Sequence, residues 1–159
     1  MTSIHAADFP PGRRTLVVAN ETVEGEALHD AVRRSALDGR SEVLVIAPAL
    51  NSRLRHWTSD DDDARVRAEL RLEGCLDRLT AAGVRASGYV ADADPMRAID
   101  DALSLFRADE IVIATHEEQR SNWLARDLVR RACHEFGLPV LHVVVHEVRE
   151  PATLVLDAA

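Results

Sequence analysis

Short apolar runs alternate with helix-patterned segments along nearly all of this 159-residue chain, and this alternation constrains the fold more than any other feature. Most of the runs are almost continuously apolar, as is typical of parallel strands whose two faces are both covered by helices. Right-handed crossovers then place the helices on both faces of the sheet. The sequence therefore predicts an α/β fold with a single doubly wound, Rossmann-like sheet of five parallel strands. The predicted strands cover residues 14–20, 41–48, 84–91, 110–114 and 139–145.

The segments between these strands carry helix signals. We predict helices over residues 22–37, about 60–82, 95–106 and 122–136. In the first helix, Leu28, Val32 and Ala36 recur every four residues and predict its buried face. The third begins at Asp94-Pro95, which combines a capping carboxylate with proline at the first helical position. The apolar side of the second helix is expected to consist of Val66, Leu70, Leu72, Leu76 and Leu79.

The length suits a single domain, with a leader before it and a tail after it. Residues 1–12 are polar and end in Phe9-Pro10-Pro11-Gly12, which predicts a flexible leader. Residues 13–146 then form the domain, with the alternating strand 84–91 at one edge of its sheet, and residues 147–159 form a tail. The apolar stretch Thr153–Leu156 is either a strand at a subunit contact or a frayed end. The last strand and this stretch together suggest a homodimer.

Composition and charge narrow the classes of partner. No apolar stretch approaches the roughly 18 residues that a membrane span needs, and the first residues lack a signal-peptide pattern, so we expect a cytoplasmic protein. A net charge of −8 disfavours nucleic acid. All 19 basic residues are arginine, which excludes Schiff-base chemistry and the lysine of a phosphate-binding P-loop.

Cysteines and histidines do not form a metal-binding pattern. Cys75 and Cys133 both fall in predicted helices and are expected to be free, mostly buried thiols. His142 and His146 lie on the same side of the last strand, but about 13 Å of extended chain separates them, too far for one metal ion. Cys133 and His134 diverge around their helix. The sequence therefore predicts no metal site.

Four segments resemble the universal stress protein family when taken together in their order and spacing. Residues 93–102 and 108–116 are similar to that family's third helix and fourth strand, and residues 16–22 and 137–144 fit its first and last strands. The resemblance covers residues 14–146. It implies a sheet of strand order 3-2-1-4-5. Ligands bind such sheets where the chain order reverses, here between strands one and four.

The nucleotide-binding branch of that family carries a glycine signature after strand four, and this chain lacks every glycine of it. The first two glycine positions fall on Ala114 and Glu117, the third on Arg126 or Asp127, and the following Ser/Thr position on Asp127 or Leu128. Side chains keep a phosphate away from the backbone amides, and a carboxylate at position 117 repels it. The sequence therefore disfavours bound ATP or AMP and resembles the branch that does not bind ATP.

The loops at the switch point nevertheless form a candidate ligand crevice. Arg120, Ser121 and Asn122, just before the predicted helix start, either present polar groups to a small anion or serve the helix itself, with Ser121 or Asn122 as cap and Arg120 paired to a neighbouring carboxylate. The candidate residues are Asn20, Glu21, Thr22, Ala47, Pro48, Thr115, His116, Arg120, Ser121 and Asn122.

Catalysis finds no positive support in the sequence. His116 lies at the crevice, but neither a nucleophile nor a positioned partner is evident beside it, and nucleophile-elbow, P-loop and zinc-protease motifs are absent. We therefore expect a non-enzymatic, stress-related regulatory domain of the universal stress protein type, with weak or absent ATP binding and no required cofactor. It would act through a protein partner or a small ligand. The alternative is an adenine-nucleotide or small-anion binding protein that uses the altered loops.

Overall fold

The computed structural model describes residues 12–19, 21–36, 39–48, 61–116 and 119–146. It contains five strands and four α-helices in alternation, with one turn of 3-10 helix after the first strand. The strands are β1 (Arg14–Val18), β2 (Glu42–Pro48), β3 (Arg85–Ala91), β4 (Glu110–His116) and β5 (Val140–Val145). The α-helices are α1 (Glu26–Ser35), α2 (Asp61–Ala81), α3 (Pro95–Leu105) and α4 (Gln119–Phe136), and the 3-10 helix is Glu21–Glu24.

All five strands form one parallel sheet in the order β3-β2-β1-β4-β5, which confirms the predicted fold class and strand order. Val18 at the end of β1 pairs with Ile46 of β2 on one side and Ile113 of β4 on the other. The 3-10 helix and α1 leave β1 toward one face, whereas the segment after β4 leads into α4. β3 and β5 are the edge strands, as expected for β3 from its alternating sequence.

Alternate residues of each central strand enter two separate cores. On one face, Val17, Val45 and Val112 pack with residues of α1 and α2, and on the other face Leu16, Ile46 and Ile111 pack with residues of α3 and α4. Side chains of neighbouring strand residues point to opposite faces, so a strand covered by helices on both faces is apolar at every position. This is the physical reason for the continuous apolar runs of the sequence.

The first predicted helix is divided in two. Gly25 has an extended backbone (φ −68°, ψ 129°) and separates the 3-10 helix from α1. A Cβ atom placed on Gly25 would lie 2.5 Å from Cγ1 of Val145, so the end of β5 packs directly against this junction. The predicted face of α1 is confirmed, because Leu28, Val32 and Ala36 are all buried.

The apolar side predicted for α2 is wrong in its first half. Val66 and Leu70 are 51% and 61% exposed, whereas Ala68 and Leu72 are buried. Two residues correspond to about 200° around a helix, so Val66 and Leu70 lie opposite the face that contacts the sheet. Further along α2, Leu79 is buried and Leu76 packs at the margin of the core, as predicted.

Of the other local predictions, the cap of α3 is confirmed, and the burial of the two cysteines is confirmed for one of them. The carboxylate of Asp94 accepts hydrogen bonds from the amides of Met96 (3.0 Å) and Arg97 (3.5 Å), which confirms the predicted cap of α3. Cys75 is buried, but Cys133 is exposed, because Ala132 takes the core position of α4 and the next residue is turned about 100° away. None of the helices among the described residues is long and apolar enough to cross a membrane. The stretch Thr153–Leu156 and residues 1–11 of the predicted leader lie outside the described residues.

Candidate functional site

The candidate crevice lies at the carboxyl ends of β1 and β4, which are neighbours in the sheet. β4 continues to His116, two residues past its predicted end, so Thr115 and His116 belong to the strand and not to a loop. Strand geometry sends their side chains to opposite faces. His116 faces the 3-10 helix that follows β1, and Thr115 faces the side of the sheet that α3 and α4 cover.

Thr22 is committed to the fold. It is 3% exposed, and its hydroxyl donates a hydrogen bond to the backbone carbonyl of Ala114 (3.1 Å). Ala114 stands at the first glycine position of the family signature and is itself buried. This hydrogen bond therefore joins the segment after β1 to the end of β4 across the switch point. It uses the one proton that the Thr22 hydroxyl can donate.

Glu21 and His116 face each other across the same junction. The Oε2 atom of Glu21 lies 4.0 Å from Nε2 of His116, with the Glu21 side chain 71% exposed and that of His116 24% exposed. The two attract when the imidazole carries a proton. An exposed carboxylate thus lies where the segment after β1 meets the end of β4.

Side chains of α1 and α2 form hydrogen bonds with the backbone of the 3-10 helix. The Nε2–H group of buried His29 donates to the carbonyl of Val23 (2.9 Å), and the guanidinium of Arg78 donates to the carbonyl of Glu24 (3.1 Å). Burial, and secondly the nearby charge of Arg78, lower the pKa of His29 below its ordinary 6.5. Hydrogen bonds from two helices thereby give this short segment a defined position.

Ala47 and Pro48 are the last two residues of β2, the strand beside β1. Both are buried, and Pro48 pairs with Ala91 of β3 at the end of the sheet. Their side chains are apolar and offer no polar group to a ligand. Asn20, the remaining candidate from the first turn, lies outside the described residues.

The prediction that Arg120, Ser121 and Asn122 precede a helix, with a cap at position 121 or 122, is wrong. α4 begins at Gln119, so these three residues are the second to fourth of the helix. No glycine or proline stands between Gln119 and Asn122, so nothing in the local sequence stops the helix from extending back toward β4. The side chains of residues 119–126 lie outside the described part of the structure.

A further pair, which the sequence reasoning missed, lies on the other face of the sheet. The Oγ1 atom of Thr115 is 2.7 Å from Nε2 of His142, and both side chains are partly buried. The residues are 27 positions apart and meet because β4 and β5 are parallel neighbours in which Ile113 pairs with His142. Parallel pairing of the last two strands, had it been applied residue by residue, would have indicated this contact.

Metal ligands do not gather at this site. Among the described residues, no group of three or more His, Cys, Asp or Glu side chains is arranged to hold a metal ion. Cys75 is buried in the core that also contains Val23 of the 3-10 helix, and burial raises the pKa of its thiol to about 11. Among the described residues, the polar side chains near the ends of β1 and β4 include the Glu21 carboxylate and the His116 imidazole on one face, with the Thr115 hydroxyl and the His142 imidazole on the other.

Comparison with known proteins rests on structure, since no family model and no curated protein matches the sequence. A protein of the universal stress protein family from Burkholderia pseudomallei superposes with a TM-score of 0.64 and 17% identity, over 85% of this chain and 98% of that one. The chain has the universal stress protein fold. The strand order of the sheet and the coverage of 98% of the Burkholderia structure both support this assignment.

Two further structures with the universal stress protein fold contain nucleotides. A universal stress protein family protein from Arabidopsis thaliana with AMP bound matches with a TM-score of 0.56 and 13% identity, over 89% of this chain and 97% of that one. A universal stress protein in complex with cAMP matches with a TM-score of 0.57 and 16% identity, over 84% and 98%. The fold is therefore one that accepts adenine nucleotides in other sequences.

Proposed function

We propose that this chain is a regulatory domain of the universal stress protein type that works by binding and not by turnover, and that it binds ATP weakly or not at all. The observation that carries the proposal is the Glu21–His116 pair, 4.0 Å apart at the switch point of the sheet. The domain would then act by contacting a protein partner or by binding a small ligand.

Electrostatics supports weak ATP binding. A polyphosphate bound at the ends of β1 and β4 would lie near the exposed carboxylate of Glu21. At 4 Å, two like charges repel by about 1 kcal/mol in bulk water and by about 4 kcal/mol near a protein surface, and a polyphosphate carries several charges. The buried Ala114 adds a methyl group at a position where the signature has hydrogen alone.

A second candidate function is the binding of an adenine nucleotide or a small anion through the altered loops. It is favoured by the AMP and cAMP found in two proteins of the same fold. The backbone of α4 also supports it. The first amides of a helix lack partners within the helix, and those of Arg120, Ser121 and Asn122 belong to that first turn.

Thermal unfolding in the presence of ATP, AMP and cAMP, each with and without Mg²⁺, separates the two candidates. We expect no shift for the natural chain. A ligand at a hundredfold excess over its Kd stabilises a protein by about 2.7 kcal/mol, so a clear rise in Tm would overturn weak binding. Glu21→Gln removes the carboxylate charge, and this variant is expected to bind the nucleotides more tightly than the natural chain. Glu26→Gln, in the first turn of α1, is the matched control for charge.

We further propose a homodimer formed along β5. β5 is an edge strand of the sheet, and Leu141 and Val144 on it are 47% and 37% exposed. An open strand edge presents unpaired backbone groups, and apolar side chains beside it favour pairing with a second copy. Sedimentation at a series of concentrations measures the association, and a chain that stays monomeric at tens of micromolar would contradict it.

A further inference from the structure

The Thr115–His142 pair has the geometry of an activated hydroxyl. The Oγ1–Nε2 distance is 2.7 Å, within the range of a direct hydrogen bond between the hydroxyl and the ring. When the imidazole carries its proton on Nδ1, Nε2 accepts the hydroxyl proton. A hydroxyl bonded to a neutral imidazole is the arrangement that makes an otherwise unreactive alcohol a nucleophile.

Sheet register holds this pair in place. Thr115 pairs with Val144 and His142 with Ile113, so the two side chains stand on the same face, one strand apart and two residues out of register. Both belong to regular strands, which limits their movement more than a loop would. Thr115 is also close to the carboxyl end of β4, the end of a parallel sheet at which small molecules are received.

We propose that Thr115 is a covalent modification site that accepts an acyl group from small activated acyl donors such as aryl esters, acyl phosphates or thioesters, with His142 as its base. This inference goes beyond the proposed function and does not depend on it. It assigns the chain the acylation step alone.

The step balances without a further reactant. Oγ1 of Thr115 attacks the carbonyl carbon of the donor, and its proton passes to Nε2 of His142. The bond from that carbon to the leaving group then breaks, and the leaving group departs with the proton from Nε2. The products are an ester on Thr115, the protonated leaving group and the neutral imidazole. No electron is gained or lost.

The two partly buried side chains set the size of the donor. Because both side chains are partly buried, small acetyl donors are the suitable probes. The exposed thiol of Cys133 is a competing nucleophile, so the test is made in a Cys133→Ser background. Cys75 competes little, because burial raises the pKa of its thiol to about 11 and leaves it protonated near neutral pH.

The experiment uses p-nitrophenyl acetate as the probe, with p-nitrophenol release followed by absorbance and the acetylated residue located by peptide mass spectrometry. We expect a burst of about one p-nitrophenol per chain and an acetyl group at Thr115 in the Cys133→Ser protein. Thr115→Val is expected to abolish that label. His142→Gln is expected to slow it by about 10²–10⁴-fold and to remove the imidazole inflection from the pH–rate profile.

Matched controls keep the result specific. Ser104→Ala removes an exposed hydroxyl on α3 and should leave the labelling rate unchanged. If circular dichroism shows that Thr115→Val does not fold, the residue that mass spectrometry identifies as acetylated in the Cys133→Ser protein decides whether the proposal holds. Acetyl groups found only at other residues, or equal labelling in folded Thr115→Val, would overturn the proposal. The pair would then be a hydrogen bond that joins β4 to β5.

Discussion

Thr22 donates its buried hydroxyl to the carbonyl oxygen of Ala114 at 3.1 Å, and so connects the segment after β1 to the end of β4. The two residues are 92 positions apart, and the contact spans the switch point of the sheet. The position of the 3-10 helix, and with it the Glu21 carboxylate, depends on this hydrogen bond together with those that His29 and Arg78 provide.

Replacing Thr22 with valine tests that role. Valine keeps the shape of the side chain but removes the donor, so we expect a loss of about 1–3 kcal/mol in the free energy of unfolding, measured by urea denaturation. Ser104→Ala removes a hydroxyl that also donates to a backbone carbonyl (3.1 Å), but in an exposed position on α3. That control should change stability by less than about 0.5 kcal/mol. Equal effects for the two variants would contradict a special role for Thr22.

Gly25→Ala is predicted to destabilise the domain through a clash with β5. The added Cβ would lie 2.5 Å from Cγ1 and 2.8 Å from Cγ2 of Val145, which is buried. Overpacking of this kind costs about 1–3 kcal/mol. The double variant Gly25→Ala, Val145→Ala should lose less than the sum of the two single variants, because the smaller side chain leaves room for the methyl group. Additive losses would mean that the two positions do not touch.

Gly74→Ala is the control for the glycine substitution itself. Gly74 lies inside α2, and a Cβ there would meet no atom within 4 Å. Alanine in a helix interior is favoured over glycine by about 0.5–1 kcal/mol, so this variant should be more stable than the natural chain. Opposite signs for the two glycine substitutions, in chemical denaturation under one set of conditions, would separate the clash from backbone entropy.

Acidification is predicted to weaken the fold through His29. Its pKa in the folded state is lowered, chiefly by burial, from the ordinary 6.5 that it has in the unfolded chain. Between those two pKa values the unfolded chain binds more protons, so the stability supplied by the neutral ring is present above pH 6.5 and is lost as the pH falls toward the folded-state pKa. Each unit of difference between the two pKa values corresponds to about 1.4 kcal/mol.

His29→Gln isolates this effect from the other titrating groups. Glutamine retains an N–H donor for the carbonyl of Val23 but does not titrate, so its stability should fall less steeply with acid than that of the natural chain. Urea denaturation at about pH 7.5 and about pH 5.5 gives the comparison. Parallel pH dependences for the two proteins would show that His29 contributes nothing to it.

A charged residue introduced on β5 should dissociate the proposed dimer. Leu141→Arg introduces a charge at a 47% exposed position on the edge strand, where a second copy would pack, and should shift sedimentation toward the monomer. Leu70→Arg makes the same change at a 61% exposed position on α2 and should leave association unaltered. If Leu70→Arg separates the subunits and Leu141→Arg does not, the interface lies on α2 instead.

Local signals predicted the elements of this fold well. The continuous apolar runs gave strands that are buried on both faces, and Asp94-Pro95 predicted the start of α3 to the residue. These features depend on a residue and its near neighbours, through side-chain alternation, capping and backbone freedom. Element ends were predicted less well where no such signal stands, as at Gln119, where α4 begins three residues before its predicted start.

Which side chains meet was decided by tertiary structure. The sequence by itself determined a parallel α/β sheet, because the continuous apolar runs depend only on residue type and spacing along the chain. It did not determine that Thr22 bonds to Ala114, that Glu21 faces His116 or that Thr115 meets His142. Those contacts join residues that are 27 or more positions apart, and they form only once strand order and register bring the ends of β1, β4 and β5 together.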